Sequence, residues 1–378
     1  MTPRQTSDSL HQRVRLFIEA SLDGSATETF DDLALEIARF QAAHVPTFAR
    51  YCQARGVDLS CVEHARSIPA LPVDVFRLAR IAVHSPEEDR RVFRTSGTSQ
   101  GKEARGEHPM RTTATYELAA LRWAERMLWP DGLRFYVLVL APSAADAPDS
   151  SLSFMIEKFV EAVGERGAYS GHWAAHVVNA GTLDLDSLQG AIGDASFLGH
   201  PVLVLGTSFA FVHVIDRGGG RNLRLPPGSR VMQTGGFKGR SREVRPDDLR
   251  RMLSTIFELP ETHIVGEYGM TELSSQLYEG TLSAALGARA EGKHGVYVAP
   301  PWLLVDAADP VTLEALPQGE TGILRFVDLA NVDSAVAIQT MDLGRVTEAG
   351  VELFGRAPGA MLRGCSLAVE DLFVKGQP

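Results

Sequence analysis

Two short segments, far apart in the chain, carry the side chains best suited to chemistry. Residues 95–102 (TSGTSQGK) combine hydroxyls, glycines and a lysine, a composition that suits backbone N–H groups wrapped around phosphate. Residues 266–272 (GEYGMTE) end in a carboxylate that could hold a metal. Taken alone, the first segment is equally consistent with a phosphate loop and a solvated turn. The two segments together favour a nucleotide-binding enzyme.

Two common nucleotide motifs are excluded by the spacing of these residues. The P-loop needs four residues between its glycines and a Ser or Thr after the lysine, whereas only three separate Gly97 from Gly101 and Glu103 follows Lys102. The dinucleotide fingerprint G-x-G-x-x-G is also missing from this segment. The sequence therefore argues against an ordinary P-loop NTPase and against a Rossmann oxidoreductase.

The order of motifs along the chain resembles the adenylate-forming superfamily of acyl-CoA synthetases, luciferases and peptide-synthetase adenylation domains. The matching segments are IPALPVDVFR, TSGTSQGK, QTGGFKGR, GEYGMTE, MDLGRV and FGRAPGAMLRGCSL, in that order. Within the superfamily the chain is most similar to the acyl-protein synthetases of bacterial luminescence (long-chain-fatty-acid–protein ligases), which are similarly short and carry a C-terminal acyl-accepting cysteine. The resemblance implies an α/β fold: an adenylate-forming large domain with doubly wound sheets, a helical N-terminal entry and a truncated C-terminal lobe.

The resemblance assigns roles toward ATP and Mg²⁺ to individual residues. The loop that would grip the β- and γ-phosphates comprises Thr95, Ser96, Gly97, Thr98, Ser99, Gly101 and Lys102. Gly235 and Gly236 match the pair whose missing side chains let the backbone lie against adenine. Tyr268 would stack on the base, with Gly269 beside it.

Four further residues complete the implied nucleotide site. Thr271 resembles the hydroxyl that contacts the α-phosphate, and Glu272 the carboxylate that holds Mg²⁺. Asp342 resembles the ribose acceptor, and Arg356 the arginine that closes over the nucleotide. Three of the residues named so far also have a plain structural interpretation: Tyr268 as a core aromatic, Glu272 as a first-turn helix charge, and Asp342 as a turn former. Only the set of motifs is specific.

The C-terminal end differs most from the large synthetases. Few residues follow Arg356, too few to bury a core of their own, so the lysine that larger relatives bring from this domain has only Lys375 as a candidate. Cys365, in MLRGCSL, matches the acyl-accepting cysteine, with Arg363 near enough to favour a thiolate and Gly364 allowing close approach. A lone cysteine is most often a small buried hydrophobic residue, and that alternative stays open. Cys52 and Cys61 show no signal of reactivity.

Composition limits the class of protein. The 378 residues are 44% hydrophobic, with a formal net charge of −10, which argues against a nucleic-acid surface. Three scattered cysteines make no disulfide framework, and the N-terminus lacks the apolar core of a signal peptide, so the cytoplasm is the expected location. No apolar stretch reaches the length of a membrane span.

Hydrophobic periodicity predicts the order of elements. Helical spacing over residues 10–55 is interrupted by a turn at Asp23, Gly24 and Ser25, and buried strands are expected at Phe135, Pro201, His263 and Gly322. We expect a helical region at 1–85, an ATP- and acyl-adenylate-binding core at 86–354, and a short segment carrying Cys365 at 355–378. Gly206, Thr207 and Ser208 are candidates for lining the acyl pocket. His172 and His176 have the spacing of metal ligands on a helix, although a structural pair is the better interpretation.

The mechanism that these residues imply has two half-reactions. A carboxylate, from a fatty acid on the strength of the resemblance, attacks the α-phosphorus of ATP to give an acyl adenylate, and the Cys365 thiolate then takes the acyl group for delivery to a partner such as a reductase or acyl carrier. Two alternatives remain. One is a free-standing acyl- or aryl-CoA ligase, in which CoA replaces Cys365. The other is a degenerate nucleotide-binding scaffold subunit, which the missing lysine favours.

Overall fold

The computed structural model describes residues 1–95, 105–164, 174–179, 182–235 and 242–357. Its helices are α1 (Pro3–Ser21), α2 (Phe30–His44), α3 (Pro46–Ala54), α4 (Ala114–Leu128), α5 (Ser151–Val163), α6 (Leu185–Leu198), α7 (Ser208–Arg217), α8 (Pro246–Phe257) and α9 (Thr281–Ala285). Its strands are β1 (Leu71–Pro72), β2 (Arg91–Arg94), β3 (Glu107–Met110), β4 (Tyr136–Leu140), β5 (Ala174–His176), β6 (Val178–Asn179), β7 (Thr182–Leu183), β8 (Val202–Thr207), β9 (Arg230–Thr234), β10 (Ile264–Tyr268), β11 (Leu277–Glu279), β12 (Val296–Val298), β13 (Leu303–Ala308), β14 (Thr321–Asp328), β15 (Ala337–Thr347) and β16 (Gly350–Arg356).

These elements form two compact units. The first contains the described residues of Met1–Arg122 and Met270–Gln276 together with residues 299–357. The second contains the described residues of Trp123–Gly269 and Leu277–Val298. The predicted boundaries at 85/86 and 354/355 stay predictions. The motif GEYGMTE is shared: residues 266–269 belong to the second unit and residues 270–272 to the first.

The first unit begins with the predicted helical entry. Thr2 accepts a hydrogen bond from the Gln5 N–H, Gln5 reaches back to the Thr2 N–H, and this capping box starts α1. Helix α1 is followed by a turn at Gly24, whose φ of +78° favours glycine, and α2 begins after this turn. Leu16 of α1 is 62% exposed, whereas Val14 and Phe17 lie on its buried face.

The first unit also contains an antiparallel sheet in the order β13, β14, β15, β16, with β1 added in parallel to β15. The run GILRFVDL forms β14 (Thr321–Asp328), as predicted for a buried strand. Its neighbours on both sides are antiparallel, so continuous burial here does not mark a parallel strand. The connection from β14 to β15, residues 329–336, is buried along its whole length.

The second unit contains the predicted parallel sheet. Its strands lie in the order β12, β11, β10, β9, β8, β4, β5, parallel from β10 to β5 and antiparallel at β11 and β12. Helices α5, α6, α7 and α8 alternate with these strands along the chain. Leu138, Val204 and Val231 of the sheet pack in one core with Phe211 of α7 and Leu253 of α8. Burial of this apolar surface is the main stabilising contribution.

Among the described residues, no helix is both long enough and apolar enough to cross a bilayer.

Candidate active site

The base of the candidate phosphate loop is a β-hairpin in the first unit. β2 and β3 pair antiparallel, with Arg94 opposite Glu107. The pairing continues one step further, because the Thr95 N–H donates to the Gly106 carbonyl and the Gly106 N–H donates to Thr95 Oγ1, each at 2.9 Å. Thr95 is therefore held at the root of the loop. The predicted loop residues Ser96, Gly97, Thr98, Ser99, Gly101 and Lys102 lie outside the described residues.

In the second unit, three strands end side by side. The parallel register places Thr207 of β8 opposite Thr234 of β9, and Thr234 opposite Glu267 of β10. In open α/β sheets, ligands bind outside these carboxyl ends. The residues expected to hold adenine directly follow or end these strands, so their position in the sheet suits that role.

Gly235 follows β9 with a φ of +70°, which a residue with a side chain rarely adopts. Among the described residues, no atom lies within 4 Å of a Cβ added to Gly235. Tyr268 is the half-buried last residue of β10, and Gly269 comes next. Gly236 lies outside the described residues. The positive φ by itself therefore favours glycine at position 235, in addition to the expected close approach of a base.

Ser208 supports the backbone at this point. Its Oγ lies 2.7 Å from the Gly235 carbonyl and 2.5 Å from Gln233 Oε1, and it begins α7 directly after β8. The expectation that Gly206, Thr207 and Ser208 line an acyl pocket stays a prediction. What the structure adds is a contact from Ser208 to the predicted adenine-binding backbone.

Glu267 is a buried carboxyl group within the same set of strand ends. Its side chain accepts a hydrogen bond from the Thr234 hydroxyl, and the residue is 6% exposed. Burial raises its pKa to about 7, and the Thr234 hydroxyl offsets only part of that effect. The carboxyl group therefore changes charge near neutral pH.

In the first unit, hydrogen bonds to buried partners hold Thr271 and Glu272. The carbonyl of Thr271 accepts from His108 Nδ1 at 2.8 Å, and the carbonyl of Glu272 accepts from Asn331 Nδ2 at 2.8 Å. Burial lowers the pKa of His108 to about 4, so the ring is neutral and its Nδ1 carries the donated proton. Because His108 lies on β3, the hairpin at the base of the candidate phosphate loop contacts the Thr271–Glu272 pair directly.

Asp342 and Arg356 are brought together in the first unit. They are register partners on β15 and β16, and Arg356 Nε lies 3.8 Å from Asp342 Oδ1. Arg356 is mostly exposed, with 68% of its side chain accessible, so this ion pair contributes little to stability. Both groups are accessible enough to meet a ligand, as the predicted ribose and nucleotide contacts require.

The remaining predicted residues divide into described and undescribed ones. Cys365 and Lys375 lie outside the described residues, as does His172. His176 ends a strand, β5, so the helical spacing considered for a histidine pair does not apply there. Burial raises the pKa of the Cys52 thiol to about 11, which agrees with an unreactive cysteine.

Sequence reasoning did not single out Glu267, His108, Asp328 or Asn331. Glu267 lies inside a recognised motif, but the sequence did not show that its side chain is buried. The polar residues of DLANVDS, which follow the apolar run of β14, were the available signal for Asp328 and Asn331. Such residues more often form a surface turn, and only their burial here shows otherwise.

A magnesium site at Glu272 can be tested against the donor set. No group of three or more His, Cys, Asp or Glu side chains able to hold a metal occurs among the described residues. Mg²⁺ in nucleotide enzymes is held by one or two carboxylates with substrate phosphates and water. A single carboxylate, in a segment that contacts the β2–β3 hairpin through His108, fits that arrangement.

Solved structures share this fold. A 2-hydroxyisobutyryl-CoA ligase, in complex with 2-HIB-AMP and CoA, aligns with a TM-score of 0.62 and 14% identity over 86% of this chain and 74% of that chain. ATP-bound MatB from Rhodopseudomonas palustris aligns with a TM-score of 0.51 and 15% identity over 72% of this chain and 49% of that chain. The present chain therefore spans only about half the length of MatB. The predicted α/β fold of adenylate-forming enzymes is confirmed.

Sequence comparisons give a narrower similarity. The family model "Acyl-protein synthetase, LuxE" matches residues 191–374. A long-chain-fatty-acid–luciferin-component ligase from Vibrio harveyi is 23% identical over 345 residues, covering 86% of this chain and 83% of the relative. A ligase of the same name from Aliivibrio fischeri is 25% identical over 167 residues, covering 41% of each chain.

The chain has the fold of adenylate-forming enzymes, and the family match and the named relatives support an acid–thiol ligase. Within that class, the resemblance to the acyl-protein synthetases that the motifs indicated is confirmed by the family match and by both ligase relatives.

Proposed function

We propose that this enzyme uses ATP to convert a fatty acid into an acyl adenylate and then transfers the acyl group to its own Cys365. The observation that carries the proposal is the acyl-protein synthetase match over residues 191–374, which includes Gly235, Thr271, Glu272 and Cys365. The named relatives act on long-chain fatty acids, which supports this class of acid as the substrate.

In the first half-reaction, a carboxylate oxygen attacks the α-phosphorus of ATP and pyrophosphate leaves. A carboxylate is already ionised at neutral pH, so no general base is required, and catalysis consists of positioning and charge stabilisation. In this proposal Thr271 contacts the α-phosphate, and Gly235 and Tyr268 hold the base. Asp342 accepts hydrogen bonds from the ribose, and Arg356 contacts the nucleotide.

Glu272 is the residue that would hold Mg²⁺. When bound, the cation neutralises charge on the leaving pyrophosphate. The Thr95–Lys102 loop supplies N–H, hydroxyl and ammonium groups toward the same phosphates. The buried hydrogen bonds to the Thr271 and Glu272 carbonyls keep this part of the chain in one conformation before substrate arrives.

In the second half-reaction, the Cys365 thiolate attacks the carbonyl carbon of the acyl adenylate, the C–O bond to phosphate breaks, and AMP leaves. The product is a thioester on the chain. The high pKa of buried Cys52 makes that thiol a poor competing nucleophile. A partner that reduces or carries acyl groups would then remove the acyl group, in keeping with the luciferin-component ligases that the chain resembles.

The test is incubation with ATP, Mg²⁺ and a panel of radiolabelled fatty and aromatic acids. Gel electrophoresis then shows whether label remains on the chain, and neutral hydroxylamine shows whether the bond is a thioester. We expect stable label from long-chain acids that Cys365→Ser abolishes. Cys61→Ser, at an exposed cysteine, is the matched control and should label like the wild type.

Release of pyrophosphate without label on the protein would instead indicate CoA or an external carrier as the acceptor. Failure to turn over ATP with any acid would leave the nucleotide-binding scaffold as the explanation. Loss of pyrophosphate release in Glu272→Gln and in Lys102→Met would separate true adenylation from contaminating ATPase activity.

A further inference from the structure

The connection between β14 and β15, residues 329–336, is an unusual feature of the first unit. Loops usually run over the surface, because buried backbone needs hydrogen-bond partners that water would otherwise supply. Here every residue of the connection is buried. It is closed by a hydrogen bond from the Asp328 N–H to the Val336 carbonyl at 2.7 Å. We refer to residues 329–336 as the buried loop.

Two side chains at this loop hold the segment that follows Glu272. Asp328, the last residue of β14, accepts from the Ser274 N–H at 2.9 Å and from the Ser275 hydroxyl at 2.7 Å. Asn331 donates to the Glu272 carbonyl at 2.8 Å and accepts from the Ser274 hydroxyl at 2.6 Å. These contacts fix backbone and side-chain groups at three of the four positions from 272 to 275.

Asp328 and Asn331 are themselves held in place. Asp328 also accepts the Ala330 N–H at 3.0 Å, and the second Asn331 amide hydrogen reaches the Ala335 carbonyl at 3.0 Å. Both side chains are almost fully buried, with exposed fractions of 0% and 2%. Groups whose hydrogen bonds are satisfied on both sides cannot move without leaving buried polar atoms unpaired, which is costly.

We propose that Asp328 and Asn331 are positioning residues that fix the backbone of residues 272–275 and so set the direction of the Glu272 carboxylate toward a divalent cation. This inference rests on the proposed function, in which Glu272 is the cation ligand. Neither residue contacts the nucleotide in this scheme. They act through Glu272 and Ser274, and partners of this kind influence metal affinity strongly.

The buried loop also contains a residue, Ser334, that serves as a matched control because its hydrogen bond is made to a different segment. The Ser334 hydroxyl donates to the Ile81 carbonyl at 3.1 Å, and Ser334 is 2% exposed. Ser334→Ala and Ser274→Ala are the same substitution in similarly buried sites, and each removes one buried hydrogen bond of the loop. Only the Ser274 bond reaches the segment that carries Glu272.

The experiment is a Mn²⁺ titration of the full chain in the presence of α,β-methylene-ATP, followed by electron paramagnetic resonance. We expect Ser274→Ala and Asn331→Asp to raise the Mn²⁺ concentration at half saturation by about tenfold. Ser334→Ala should bind Mn²⁺ like the wild type. Thermal unfolding of all three variants shows whether each one is folded, and a comparable loss of stability in Ser274→Ala and Ser334→Ala is expected.

Equal Mn²⁺ affinity in Ser274→Ala, Asn331→Asp and wild type would overturn the inference, as would an equal loss in Ser334→Ala. If Asn331→Asp does not fold, the Mn²⁺ affinities of Ser274→Ala and Ser334→Ala decide whether the inference holds. Mn²⁺ binding that Glu272→Gln weakens but that Ser274→Ala and Asn331→Asp leave unchanged refutes the positioning role alone. Wild-type protein that binds no Mn²⁺ with the nucleotide analogue refutes the cation site itself and with it both proposals.

Discussion

Two buried carboxyl groups affect the pH dependence of stability in a way that motif matching does not reveal. Glu267 lies within a recognised motif, yet burial raises its pKa to about 7. Asp328 is similar, since burial raises its pKa to about 6 although it accepts several hydrogen bonds. Both carboxyl groups bind protons more tightly in the folded chain than in the unfolded chain, so both lower stability as pH rises.

For Glu267→Gln we predict a pH-dependent gain in stability. Above the ordinary pKa of 4.5 the unfolded chain loses the proton while the folded chain keeps it, so wild-type stability falls through the window from 4.5 to about 7. Glutamine removes that dependence. The free energy of unfolding of the variant relative to wild type should rise by about 2 to 3 kcal/mol between about pH 5 and about pH 8.

Urea unfolding at several pH values measures this difference. Asp328 contributes equally to both proteins and cancels in the comparison. A variant whose stability relative to wild type does not change with pH would show that Glu267 titrates normally.

At the scale of elements, close packing between strands positions the strand ends of the second unit. Gly206 lies in β8 beside Leu140 of β4. A Cβ added to Gly206 would lie 2.8 Å from the Leu140 Cβ and 3.2 Å from the Phe211 ring. The glycine therefore allows β8 to deliver Ser208 to the Gly235 carbonyl.

We predict that Gly206→Ala destabilises the protein by about 1 to 3 kcal/mol, because the added methyl group overpacks a rigid strand contact. The control is Gly190→Ala in α6, an exposed helical glycine with no atom within 4 Å of an added Cβ. That change should stabilise by about 0.5 to 1 kcal/mol, since alanine favours helix. Thermal and urea unfolding of both variants measure the two effects, and a Gly206→Ala protein as stable as wild type would contradict the packing argument.

At the scale of the whole chain, one buried carboxylate joins distant parts of the sequence. Asp333 of the buried loop accepts from the Ser7 hydroxyl at 2.5 Å, and it lies 3.1 Å from His11 Nε2 and 3.3 Å from Arg111 Nε. Burial by itself would raise the pKa of Asp333, but the His11 and Ser7 hydrogen bonds and the Arg111 charge lower it to about 2. Helix α1 is therefore held to a loop more than three hundred residues later.

For Asp333→Asn we predict a loss of at least about 2 kcal/mol near neutral pH, because buried Arg111 loses one of its two anionic partners and keeps only the more exposed Asp8. The contribution of Asp333 is present above its ordinary pKa of 3.8 and is lost as pH falls toward 2. The stability gap between variant and wild type should accordingly narrow between about pH 5 and about pH 3. Urea unfolding across this range measures it, and a gap independent of pH would mean that the Asp333 charge does not stabilise the fold.

The sequence by itself was sufficient for the class of fold. The strands at Phe135, Pro201 and His263 appear as β4, β8 and β10, because a run of apolar residues bounded by turns is a local signal. Periodicity also indicated the helical entry. The motif order indicated the adenylate-forming fold, which the solved structures share.

Only the tertiary structure decided which polar residues are buried and what they hold. Asp328 and Asn331 lie in one stretch of sequence and His108 in another, and their convergence on residues 271–275 depends on contacts across the first unit. The sequence also could not show that β14 pairs antiparallel with its neighbours, because a strand buried on both faces has the same apolar pattern in a parallel and in an antiparallel sheet. Local patterns record the preferences of neighbouring residues, whereas burial and pKa depend on residues that are distant along the chain.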